Sequence, residues 1–149
     1  MNAPRAAGSG LLITVLATAL VIAGCGLFNR SGEDDRFVRP GEPKTSPSGR
    51  FTAMVEPGPL QNGVETLIVV ITTADGTEVF RDDYAYSTRH GVRVTWLSDR
   101  DQLWILSGDV GTSHVEPDSS GDWVKTGITP ETVDDIPAEI DVLRPVPGR

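Results

Sequence analysis

The sequence predicts an all-β domain: a small antiparallel sheet or sandwich of about seven strands, built from hairpins and followed by a short C-terminal helix. Three observations predict it. From Gly49 onward apolar residues recur at every second position, the period with which side chains alternate between the two faces of a strand. These runs are short and are separated by clusters of Gly, Pro, Asn and Asp, the residues that turn a chain. The 149 residues, 38% of them apolar, suffice for one domain and not two. Sixteen Gly and eleven Pro exceed the usual share yet fall short of a low-complexity chain, so a folded part is expected.

The first thirty residues read as an address. Arg5 is the only charged side chain before Arg30, and the strongest apolar run is Leu11 to Ala23, LLITVLATALVIA. As a helix that run covers about 20 Å, short of the ~30 Å hydrocarbon core of a bilayer but matched to the apolar region of a signal peptide. It ends in Ile22-Ala23-Gly24-Cys25, which resembles the lipobox of bacterial lipoproteins: a branched apolar residue, two small residues and a cysteine. The resemblance implies cleavage between Gly24 and Cys25, a diacylglyceryl thioether on Cys25 and, in many bacteria, a further acyl chain such as palmitate on the new amine. Two or more chains hold a protein at a bilayer where one binds reversibly. The competing reading is an uncleaved transmembrane helix from Ala6 to Phe28, which Gly8, Gly10, Gly24 and Gly26 weaken at both ends.

Arg5 precedes the apolar run, while Glu33, Asp34 and Asp35 follow it, so the remainder is expected on the extracytoplasmic face of the cell membrane. With the only cysteine carrying lipid, the domain has no disulfide and must stand on its core. The chain thus divides into residues 1–24 as signal peptide, 25–48 as lipidated N-terminus and flexible linker, and 49–145 as the β domain. The stretch Gly26 to Ser48 has no apolar period, which predicts a tether, with Phe37 and Val38 as a short docked segment in the alternative.

Within the domain, Phe51, Ala53 and Val55 alternate with Thr52, Met54 and Glu56 to give a strand, which Pro57-Gly58-Pro59 stops. Asn62-Gly63 marks a turn before Val64 to Thr73, whose continuous apolar centre, Leu67 to Ile71, predicts a central strand buried on both faces. Asp75-Gly76 predicts a two-residue hairpin into a return strand, Glu78 to Asp83. Val92, Val94 and Trp96 start a second hairpin, turning at Ser98 to Asp101 and returning through Gln102 to Ser107. Shorter strands are expected at Gly111 to Glu116 and Asp122 to Thr126, around the PDSSG loop. Thr129-Pro130-Glu131 is a helix start, and Pro137 limits that helix to about two turns. The tail from Ala138 holds too little apolar surface to place.

Ser46 to Val55, SPSGRFTAMV, and Leu97 to Leu106, LSDRDQLWIL, both set a polar turn before an apolar strand. This resembles the repeated turn and strand of TolB-type β-propeller blades. The resemblance implies blade-like hairpins only, because a propeller needs about four or more blades of about 40 to 45 residues and the chain supplies barely two.

A formal charge of −8, from 13 basic and 21 acidic residues, excludes a nucleic-acid binder, since phosphate recognition draws on clustered Lys and Arg. No nucleophile elbow, phosphate loop, dinucleotide fingerprint or zinc helix occurs, and no cofactor is implied. The densest polar and aromatic stretch is Asp82, Asp83, Tyr84, Tyr86, Arg89 and His90, read as a strand end and loop; with Trp123 it forms the candidate binding surface. Asp109, Ser113 and His114 assemble a nucleophilic triad only on paper, and His114 reads as an exposed turn histidine. Asp99, Arg100 and Asp101 read as local turn chemistry. Trp96 and Trp104 read as a pair on one sheet face, either core or an exposed platform for a sugar or partner. Tyr84, Tyr86 and Trp123, beside loops, read as the exposed aromatics. The expected function is therefore a membrane-anchored, non-enzymatic binding or accessory module, whose partner would be an envelope protein or glycan. The alternative is a small cation-assisted or carboxylate-based hydrolase at Asp82, Asp83 and His90.

Overall fold

In the computed structural model, which describes residues 35–145, nine strands build two antiparallel sheets. The first sheet holds β1 (Lys44–Thr45), β2 (Phe51–Pro57), β3 (Thr66–Thr73), β4 (Glu78–Arg81) and β5 (Tyr86–Ser87). Its order is β1-β2-β3-β4, and β5 pairs with β3 on Thr66 and Leu67, beyond the part of β3 that β4 occupies. The second sheet is a meander of β6 (Val92–Trp96), β7 (Leu103–Ser107), β8 (Gly111–Pro117) and β9 (Trp123–Gly127). The all-β class is as predicted, and the strand count exceeds seven because β1 and β5 are two-residue strands with too little sequence to show a period. The leader, the lipobox and Cys25 lie outside the described residues.

Side-chain alternation sorts the core into two layers. Ala53, Val55, Val69, Ile71 and Tyr86 of the first sheet meet Val94, Trp96, Leu103, Ile105 and Val115 of the second. On the opposite face of the second sheet, Trp104 and Leu106 pack with Leu97, Phe37, Ile136, Ile140 and Leu143. Strand β7 lies between the two layers, and all five of its residues are buried. Burying a side chain of this size contributes about 1.5 to 3 kcal/mol, so a sheet covered on both sides can do without a disulfide. Strand β3 is central in its sheet as expected, with Val69, Val70 and Ile71 fully buried and Ile68 half-buried.

Several local expectations are corrected. The predicted linker is packed at Phe37 and Val38, as in its docked-segment alternative: both are buried, Val38 N–H donates to Val94 O at 2.8 Å, and further along Lys44 O accepts from Trp96 Nε1 at 2.8 Å. Two apolar residues reach the sheet edge here without forming a period, so composition conceals them. Trp96 pairs with Leu103 and Trp104 with Thr95, so the two tryptophans face opposite sides of the sheet, each in core. A register displaced by one residue reverses the face, which is why the single-face expectation fails.

The two-residue primed turn falls at Asn62-Gly63, both with positive φ, between mutually bonded Gln61 and Val64. The Asp75-Gly76 turn is instead a three-residue loop: Gly76 N–H donates to Thr73 O, Thr73 N–H donates to Thr77 O, and Gly76 takes φ +88°. Glycine is the residue that enters this left-handed region without strain. Thr129-Pro130-Glu131 starts a turn closed by Thr132 N–H on Thr129 O, which leads into a 3-10 turn at Val133–Asp135. Pro137 then caps a four-residue helix, α1 (Ala138–Asp141), rather than ending one. Ile140 and Leu143 anchor this segment to Trp104 and Leu106.

Candidate functional site

The predicted binding stretch lies where the outer strand beside β3 is interrupted. Asp82 N–H still donates to Val69 O at 2.9 Å, and Tyr86 already pairs with Leu67, so Asp83 to Ala85 loop outward between them. Asp82, whose side chain has no exposed surface, is saturated: Oδ1 accepts from Tyr84 N–H at 3.0 Å, Oδ2 from the Tyr86 hydroxyl at 2.8 Å, and both from Lys125 Nζ at 2.9 Å. Lys125 also donates to the Tyr86 hydroxyl at 2.7 Å and sits over the rings of Tyr86 and Tyr84. Burial pushes the Tyr86 phenol well above its ordinary pKa, and the Asp82 carboxylate it donates to pushes the same way. Because Lys125 belongs to β9, this cluster ties the first sheet to the second.

Two of the seven predicted surface residues are therefore buried, Asp82 and Tyr86, since their polar atoms find partners inside the protein. Tyr84 is exposed as expected. Asp83, Arg89 and His90 are exposed too and join no hydrogen bond of the cluster. Trp123 is half-buried, edge-on to Phe51 at 4.8 Å and Trp96 at 6.1 Å, and helps close the inter-sheet core. The paper triad does not form: Ser113 is buried, adjacent strand residues point to opposite faces, and Asp109 accepts from Ser107 Oγ at 2.7 Å. Asp101 does not serve its own turn. It accepts from Ser48 Oγ at 2.7 Å and Arg50 Nη2 at 3.2 Å, joining the two turns whose sequences resemble one another. Burial raises its pKa, but the bonds from Ser48, Ser46 and Arg50 prevail and hold it below the usual range.

The structure brings a second polar group together that the sequence reading missed. Gln102 precedes β7, Trp104 lies on β7, His114 and Glu116 on β8, and Thr126 on β9; alternation puts all five on the outer face of the second sheet. With Ile128, Thr132, Asp135 and Pro137 from the C-terminal segment, they line a cleft of about 290 Å³. The segment is held over the sheet by its buried Ile140 and by Glu139, which accepts from Arg36 at 3.0 Å and from Ser98 Oγ at 2.7 Å.

The floor is a chain of polar contacts. Trp104 Nε1 donates to Gln102 Oε1 at 2.8 Å, and Gln102 Nε2 donates to Glu116 Oε2 at 2.9 Å. His114 packs against Trp104, its direct cross-strand partner, with ring centroids 5.1 Å apart. Its Nδ1 is buried with no hydrogen-bond partner, and Glu116 Oε1 stands 3.5 Å away. Burial lowers the imidazole pKa and the Glu116 charge only partly opposes it, so the ring is neutral at neutral pH. His114 is thus a strand residue and not a turn residue, because the strand runs unbroken from Gly111 to Pro117. The legible signal was the Thr112, His114, Glu116 alternation opposite Gln102 and Trp104.

Among the described residues no group of three or more His, Cys, Asp or Glu is arranged to hold a metal ion. Comparison of the chain with protein-family models, curated proteins and solved structures finds no match to any of them. Among the described residues the fold is a two-sheet antiparallel sandwich whose outer face carries a polar recess with an unpaired buried atom, His114 Nδ1.

Proposed function

We propose that this protein is a lipid-anchored lipoprotein of the extracytoplasmic membrane face, whose β domain is a non-enzymatic binding or accessory module of the cell envelope, and that the His114 cleft is where it binds. The observation that carries the binding role is the buried, unpartnered His114 Nδ1 in a recess where Gln102, Glu116, Thr126 and Asp135 converge. Recesses whose polar groups are short of hydrogen bonds are rare, so one in which His114 Nδ1 faces only the Glu116 carboxylate at 3.5 Å and Asp135 accepts no bond among the described residues favours a site completed by something else. The anchor is supported by the apolar leader and Ile22-Ala23-Gly24-Cys25. The hydrolase alternative finds no support, because Asp82 spends its carboxylate on Lys125 and Tyr86.

Mass spectrometry of membrane-extracted protein tests the anchor. The native chain is expected to begin at a lipid-modified Cys25, while Cys25→Ala keeps Met1 and carries no lipid. A native chain that starts at Met1 without lipid restores the spanning-helix reading. For the binding role, crosslinking in intact cells from a photoreactive residue at Thr126 is expected to capture a partner or glycan that His114→Phe loses.

A further inference from the structure

The chemistry of the cleft narrows what it holds, and this inference rests on the binding role proposed above. Its lining is richer in acceptors than in donors. Glu116 keeps one oxygen free of any close hydrogen bond and is 40% exposed. Asp135, on the 3-10 turn across the cleft, is exposed, and its carboxylate takes no hydrogen bond among the described residues. Because the Glu116 carboxylate stands 3.5 Å from His114 Nδ1, a lone pair there would be repelled; Nδ1 therefore carries the proton and Nε2 becomes an acceptor. The buried Trp104 ring, tilted 40° to His114, closes the floor of the recess. Arg100, the one cation on the lining, already pairs with Asp99 at 3.4 Å, which leaves the recess with excess negative charge.

A metal ion would need more ligands than converge here. Hydrogen-bond donors on a small organic cation would instead meet Glu116, Asp135 and Nε2 separately. The volume, at the low end for ligand pockets, suits a side-chain-sized group. We propose that the cleft takes a guanidinium or primary ammonium group on a short aliphatic stem, with Glu116 and Asp135 as counter-ions and neutral His114 as a further acceptor.

Agmatine, which carries both groups, is the probe: it is titrated into the full chain in detergent micelles while the imidazole NMR signals are followed. Saturable shifts are expected at His114 and not at His90. Glu116→Gln and Asp135→Asn are each expected to weaken binding about tenfold, roughly one charge-assisted bond. Glu116→Gln keeps an acceptor for Gln102, and thermal unfolding supplies a second readout: agmatine raises the Tm of the native chain more than that of either variant. N-butylurea, similar in shape and uncharged, is expected to leave His114 unmoved. Equal binding of N-butylurea, or unchanged agmatine binding in both variants, overturns the charge assignment. Shifts at His114 with N-acetylglucosamine but not agmatine overturn the cation while keeping the cleft as a binding site. A His114 ring unmoved by all three probes overturns the cation and the binding role together.

Discussion

Two regions of this sandwich place ionisable side chains among apolar ones, and they end in opposite conditions. At the edge where β9 meets the first sheet, Asp82 has every oxygen lone-pair direction used and Lys125 has three acceptors. On the outer face of the second sheet, His114 Nδ1 has no close partner and Asp135 none among the described residues. The first region was the conspicuous one in sequence, the second was not. Density of polar residues along the chain therefore marks where charges are available, whereas the degree to which their hydrogen bonds are filled marks where a ligand has room to act.

The contrast can be broken most forcefully at Lys125. Lys125→Met leaves the Asp82 carboxylate buried without its cation, and urea unfolding is expected to show a loss of about 3 to 5 kcal/mol. Adding Asp82→Asn removes the stranded charge and is expected to return most of that loss. If Lys125→Met alone is neutral, the cluster is not closed and the comparison fails. Tyr86→Phe is a smaller intervention, because Asp82 and Lys125 still satisfy each other; a cost of about 1 kcal/mol is expected, with the near-ultraviolet circular dichroism of the core retained.

The smallest effect belongs to His114 and sharpens the other side of the contrast. Its pKa in the fold is lowered from 6.5, so on acidification the unfolded chain takes up the proton first. Stability from this residue is complete above pH 6.5 and falls as pH drops through the lowered folded-state value. Thermal denaturation across pH 7 to about 5 is expected to show that decline in the native chain and a flatter profile in His114→Gln. Equal slopes in the two would mean that the imidazole is hydrated and the recess is not what burial implies.

Much of the fold was legible because two-residue alternation is a property of the strand itself. Phe51 to Val55, Val92 to Trp96 and Leu103 to Ser107 appear where their spacing puts them. Legibility ended where a single residue of register or a solitary contact decides. Trp96 and Trp104 were separated by a one-residue displacement across a short turn, and Phe37 and Val38 are docked by tertiary contacts that no local period announces. The cleft was hidden for a third reason. Its floor comes from three strands and its wall from residues 128–137, held in place by a following segment whose few apolar residues, Ile140 and Leu143, become persuasive only opposite Trp104 and Leu106.

The docking of Phe37 also sets a geometric leash. Only twelve residue steps separate it from Cys25, and at about 3.3 to 3.6 Å each they reach at most about 40 Å, roughly one small-domain diameter. With lipid on Cys25 as proposed, the sandwich stays within about one domain diameter of the headgroups, where residents of the same leaflet can meet it. Such confinement trades three-dimensional search for encounter in a thin layer, where a recess of modest affinity is still filled often.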